Sequence, residues 1–162
     1  MSYPAQFTRM TGLQMLRFRM KDKVHMKGFV FEKQANAYII HTAGSADQLY
    51  GDRFERTGST VANIGNNVTL SWNDMDFGGE KELTLEIEGK TQLDLNTIRI
   101  RITNTEGKEY DTAAGFRGKG GTRQRFTVRV PDGNCTVSFV FLPGSSFDFC
   151  SFRFLQAVNW TD

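Results

Sequence analysis

Asp74 and Asp76 stand two apart in WNDMDFGG, and paired carboxylates are the equipment of glycoside hydrolysis. That chemistry needs two acids about 5–10 Å apart across a cleft. Here the pair sits in a turn-like stretch, and no second acidic cluster defines a cleft. His25 and His41 are the two histidines. Both lie in apolar, strand-like settings with no nucleophile beside them, so they read as structural. Cys135 and Cys150 have no metal-ligand spacing. AAGFRGKGGTR, Ala113 to Arg123, crowds glycines and cations together. A phosphate loop requires GxxxxGKS/T between a buried strand and a helix, whereas GKGGT leads into a strand. The first reading is a mobile, solvated loop. The second is a flexible loop whose Phe116, Arg117, Lys119 and Arg123 close over an anionic or polyhydroxylated ligand. No catalytic constellation emerges, and the chain is not expected to be an enzyme.

The elements that carry these residues follow from composition and period. The chain has 162 residues, 39% hydrophobic and 23% charged, which suits one packed domain. Net charge is +2 with no basic block, so nucleic acid is not an expected partner. No apolar run approaches the roughly 18 to 20 residues of a membrane span, and MSYPAQFTRM has no secretory h-region.

Alternation dominates. NVTLSW sets Val68, Leu70 and Trp72 on one face. ELTLEIE opposes Leu83, Leu85 and Ile87 to Glu82, Thr84, Glu86 and Glu88. TIRIRIT does the same with Ile98, Ile100 and Ile102, RFTVRV with Phe126, Val128 and Val130, and CTVSFVF with Val137, Phe139 and Phe141. Strand side chains point alternately to opposite faces, so each segment buries one face and wets the other, as antiparallel sheets do. EGK, TEGK, PDG and PGSS punctuate the runs. The fold class predicted is all-β, an antiparallel β-sandwich of jelly-roll type. Residues 1–27 read as an entry segment or edge strands, and 28–162 as the sandwich.

FVFLPGSSFDFCSFRF, Phe139 to Phe154, holds six of the fourteen phenylalanines. Phe147 and Phe149 share a face, and Phe152 and Phe154 share a face one residue out of phase. A bulge near Cys150-Ser151 restores a common side, making the stretch core rather than ligand platform. Trp72, in phase with Val68 and Leu70, is core on the same reasoning. If PGSS closes a hairpin, Cys150 faces Ser138 or Phe139 and Cys135 faces Arg153. The thiols would then lie roughly 13 Å apart, beyond disulfide reach. Two free, buried thiols are expected.

YGD (Tyr50 to Asp52), IGNNV (Ile64 to Val68), MDFG (Met75 to Gly78) and FLPGSSFDF (Phe141 to Phe149) carry a resemblance. Over roughly residues 28 to 155 the chain resembles carbohydrate-binding modules of the family 6 type, as found appended to bacterial family 2 glycoside hydrolases. The resemblance implies a galactose-binding-like sandwich without catalytic machinery. It implies sugar binding in a loop-lined cleft at one end or on one sandwich face. It also implies a structural calcium ion with Asp148 as a ligand; Asp47 or Asp52 would replace an acid the family has near its first strand. Two stacking aromatics of the family are replaced here, one by Arg123 and Gln124, the other by Asn63 and Ile64. Tyr50, Tyr110, Phe116 and Trp160 remain as candidate sugar platforms, with Arg117 and Arg123 as polar contacts.

The expected function is a non-catalytic module that targets a glycoside hydrolase to a plant β-glycan or galactoside. Its partners would be a polysaccharide or oligosaccharide and the catalytic domain, with no membrane or nucleic acid. An extracellular location is slightly favoured. The alternative is a structural or interaction domain of such an enzyme that binds no sugar.

Overall fold

A computed structural model describes residues 15–19, 21, 23, 25–29 and 36–156. The chain divides into two compact units, residues 1–32 and 33–162. The described residues of the first unit form no strand or helix. Met15 and Met26 are exposed, and Phe18 packs on Phe29 with ring centroids 5.3 Å apart.

The second unit is a sandwich of antiparallel strands. They are β1 (His41–Thr42), β2 (Gln48–Tyr50), β3 (Glu55–Thr57), β4 (Thr60–Ile64), β5 (Val68–Asp76), β6 (Glu82–Thr91), β7 (Leu95–Asn104), β8 (Glu109–Arg117), β9 (Arg123–Arg129), β10 (Asn134–Phe141) and β11 (Phe147–Leu155). Short 3-10 turns at Asn36–Tyr38 and Ala43–Ser45 flank β1. A six-stranded sheet runs β3-β4-β11-β6-β9, with β1 also pairing β11; a five-stranded sheet runs β2-β5-β10-β7-β8. No helix among the described residues is long and apolar enough to cross a membrane.

The alternating faces pack as their period requires. Leu83, Leu85, Ile87, Ile98, Ile100, Ile102, Val128, Val137 and all six phenylalanines of the 139–154 stretch are buried between the sheets. Each phenylalanine contributes about 1.5–3 kcal/mol by leaving water. The register of β11 against β6 shifts between Phe149 and Ser151, so the bulge falls where the phase slips. Trp72 is core, its ring 4.7 Å from that of Phe152 and edge-on.

Four expectations are corrected. PGSS closes no hairpin: β10 and β11 belong to different sheets, and the turn passes the chain across the sandwich. The two thiols are free because the sheets separate them, and Cys150 is only half-buried. Residues 113–117 are strand β8 rather than mobile loop, leaving only 118–122 as connection. WNDMD is likewise strand, the end of β5, with Asp74 at φ 59° where the β5–β10 register shifts.

Candidate functional site

The loops 51–54, 65–67, 92–94, 118–122 and 142–146 gather at one end of the sandwich, as hydrogen bonds between them record. Gly65 N donates to Arg53 O, Gly144 N to Asn66 Oδ1 and Gly118 N to Asp94 O. Among the described residues these loops offer no exposed aromatic platform: Phe54, the aromatic within them, packs against the core. Phe116, a sequence candidate for ligand contact, is 1% exposed and packs edge-on against Phe147 at 4.9 Å. Its inward phase with Ala114 puts it in the core. Ile64 is fully buried. Gln124 is consumed in holding the 118–122 connection: its Oε1 accepts from Arg117 N at 2.9 Å, and its Nε2 donates to Arg117 O and Gly121 O. Arg117 stays exposed at the rim.

The three acids offered for calcium are not brought together. Asp47 Oδ2 accepts from Asn73 N at 2.8 Å, on the five-stranded sheet. Asp148 Oδ1 accepts from Asn63 N at 2.8 Å, on the six-stranded sheet. Asp52 Oδ2 accepts from Asn67 Nδ2 at 3.0 Å. Each ties down a turn or strand end. Calcium needs six to eight oxygens, several from carboxylates. Among the described residues no three His, Cys, Asp or Glu side chains gather to hold a metal. Asp47, Asp52 and Asp148 do not make up one carboxylate donor set for the ion.

Tyr110 is half-buried at the β8 edge, where Arg129 lies over its ring at 4.4 Å and Lys108 at 5.4 Å. Cation–π contact attracts a guanidinium to that face, and a face so covered is not free to receive a sugar. Trp160 lies outside the described residues.

Tyr50 is placed differently. It ends β2, 58% exposed, and is the one aromatic of residues 36–156 among the large exposed hydrophobic side chains. It opposes Thr69 on β5, and Leu49 between it and Gln48 packs against the core. Tyr50 and Gln48 therefore share the outer face of the five-stranded sheet. Register continues the row through Thr69 and Val140 to Arg99. The next row runs Gln48, Ser71, Ser138, Arg101, Asp111. Small hydroxyl side chains lie along this face, Thr69 and Ser71 buried and Ser138 and Thr136 half-buried: Ser71 Oγ and Ser138 Oγ are 2.9 Å apart, and Thr136 Oγ1 donates to Asn73 Oδ1 at 3.0 Å. Asp111 and Glu109 hold Arg101, whose Nε lies 3.2 and 3.1 Å from them. Hydrogen bonding to Asp111 and the neighbouring carboxylates push its pKa up, against burial. Arg99 is exposed and makes no hydrogen bond or ion pair among the described residues. An exposed ring beside hydroxyls, one fixed guanidinium and one free one is the chemistry a polyol needs: an apolar face to stack on and both donors and acceptors beside it. Gln48, Ser71, Ser138, Arg99 and Arg101 escaped the sequence reading. For Ser71, Ser138, Arg99 and Arg101 the signal is the outward phase of NVTLSW, CTVSFVF and TIRIRIT; Gln48 lies outside these runs.

Arg123 belongs to the opposite face, outside the six-stranded sheet. There Glu86 sits directly between Arg125 on β9 and Arg153 on β11. Each arginine donates through Nε at 2.8 Å, one to each carboxylate oxygen. Arg123 reaches Glu86 at 3.8 Å and Glu88 at 3.3 Å. Burial pushes the Glu86 carboxyl up, but the bonds and charges of Arg125 and Arg153 outweigh it and hold it below the ordinary carboxylate range.

No family model matches the chain, and no curated protein matches it. Solved structures do. The C-terminal family 6 carbohydrate-binding module of LamC from Zobellia galactanivorans superposes with TM-score 0.61 at 17% identity, covering 73% of this chain and 98% of that one. A family 6 module from Clostridium cellulolyticum in complex with xylose gives 0.58 at 22% identity, covering 74% and 98%. The fold is that of the family 6 carbohydrate-binding modules. A family 43 arabinoxylan arabinofuranohydrolase from Bacillus subtilis, in complex with cellotetraose, gives 0.57 at 20% identity; 80% of this chain matches 29% of that one. A similar fold thus occurs as a minor part of a longer hydrolase chain. The family 2 enzymes that the sequence resemblance brought in have no counterpart among these three.

Proposed function

We propose that this chain is a non-catalytic carbohydrate-binding module that lays a glycan across the outer face of its five-stranded sheet, with Tyr50 as the ring it stacks on. Tyr50 carries the reading, because it is an exposed aromatic on a sheet face floored by hydroxyls and flanked by Arg99 and Arg101. The neighbours' sugars, xylose and cellotetraose, support a plant β-glycan as the class; a galactoside is the other class in view. The module would hold an attached glycoside hydrolase near its polymer, raising the enzyme's effective concentration there. The hydrolase whose chain includes a similar fold supports that partner.

Affinity electrophoresis over plant β-glucans, xylans and galactans tests the reading. Retardation on at least one neutral polymer is expected. Tyr50→Ala should weaken it by roughly tenfold, about 1.4 kcal/mol, while Tyr110→Ala leaves it unchanged. A second reading, a structural domain that packs on its enzyme and binds no sugar, draws support from the end loops, whose described residues present no exposed aromatic. A chain that migrates freely through every glycan would favour it.

A further inference from the structure

A depression of about 90 Å³ lies on the outer face of the six-stranded sheet, lined by Ile40, Glu86, Glu88, Arg123, Ser151 and Arg153 among others. Three guanidiniums, those of Arg123, Arg125 and Arg153, converge on two carboxylates, leaving the cluster with excess positive charge. Glu86 is the anchor, its side chain only 6% exposed. Arg125 and Arg153 meet it through Nε, and their Nη groups make no hydrogen bond among the described residues. Glu88 is tied on its own side by Arg123 and by Ser151 Oγ at 3.1 Å. The arginines are thus fixed at one edge while their side chains stay 37–63% exposed. Ion pairs whose cations stay this exposed add little stability. Held guanidiniums with free N–H groups are instead suited to bidentate recognition of carboxylate and sulfate oxygens.

We propose that this depression is a second binding site, one that takes an anionic substituent of a polysaccharide, a uronate carboxylate or a sulfate ester, between Arg123 and Arg153, with Arg125 holding Glu86 from outside the depression. Glu86 serves as the positioning residue that sets the forks. The polysaccharide as carrier rests on the glycan-binding reading above; the recognition of the anion rests on this face alone.

The test compares the full chain in affinity electrophoresis on two matched pairs: polygalacturonate against its methyl ester, and dextran sulfate against dextran. Retardation should be greater on the charged member of at least one pair, and the pair that responds separates carboxylate from sulfate. Arg123→Gln, which leaves both Nε bonds to Glu86 in place, should cut that charge-dependent part about tenfold. Arg123→Lys, which keeps the charge but loses the fork, should restore it only in part, and Tyr50→Ala should leave it intact. Equal retardation within both pairs overturns the proposal. So does a charge-dependent part that survives Arg123→Gln in full, since that would be diffuse attraction. If the neutral-glycan reading alone fails, polymers without charge will not retard the chain, yet the Arg123-dependent effect will remain. If this inference alone fails, Tyr50-dependent retardation on neutral polymers will stand without any effect of charge.

Discussion

His41 and Glu86 are buried groups whose protonation the fold opposes from different sides. The His41 ring lies 5.1 Å from that of Phe152 and nearly parallel to it, and Nε2 is 2.6 Å from Asn36 O. A carbonyl only accepts, so that nitrogen carries the proton of a neutral ring. Burial pushes its pKa below 6.5, more than Asn36 and Asp47 push it back. The unfolded chain therefore binds the proton more readily, and stability falls as pH drops below about 6.5. Glu86 has a carboxyl held low by its arginines, so its contribution is present above about pH 4.5 and lost as pH falls through the folded value. The melting temperature should therefore decline in two stages on acidification. His41→Gln, which keeps a donor for Asn36, should remove the upper stage, and Glu86→Gln the lower. A profile of unchanged shape in both variants would refute this assignment. The apolar setting of His41 made it legible as structural; the burial of Glu86 was not legible. The alternation of ELTLEIE places Glu86 on the wet side, and only arginines 37 or more positions away cover it.

At the scale of the element, β11 shows what alternation can and cannot reveal. Phe147, Phe149, Phe152 and Phe154 announce both a buried face and a one-residue slip, because a strand keeps its phase except at a bulge. The slip has a partner that sequence did not single out. Gly89 stands opposite Phe149, and a Cβ there would come within 2.5 Å of the Phe147 ring and 2.7 Å of Asp148 O. Gly89→Ala should cost stability without altering net charge. Phe149→Ala should cost about 3–5 kcal/mol, as large-to-small changes at fully buried aromatic sites do. Urea unfolding measures both, and a Phe149→Ala midpoint equal to that of the parent would place the ring outside the core. Pairing was less legible. PGSS joins two antiparallel, Phe-rich strands, and such a turn looks the same in sequence whether it closes a hairpin or crosses between sheets. Strand β8 was missed because Thr112, Ala114 and Gly115 carry little hydrophobic signal, so Phe116 read as a loop residue.

For the whole molecule, a core filled by Trp72 and the tail phenylalanines leaves recognition to rims and outer faces. The resemblance conveyed the sandwich but not where a sugar would lie. That depends on which outward side chains two sheets bring into register, a long-range property no local motif encodes. The carboxylates Asp47, Asp52 and Asp148 each tie a different turn or strand end, so the melting temperature should not move on adding chelator. A drop of several degrees would show that they converge on an ion after all. Titration of the isotopically labelled chain with the neutral glycan that retards it most, followed through backbone amide shifts, tests the central claim most directly. The expected shifts cluster on residues 48–50, 69–73, 99–103 and 136–140. Shifts confined to the loops 65–67, 92–94 and 118–122 would contradict the account and return binding to the end of the sandwich.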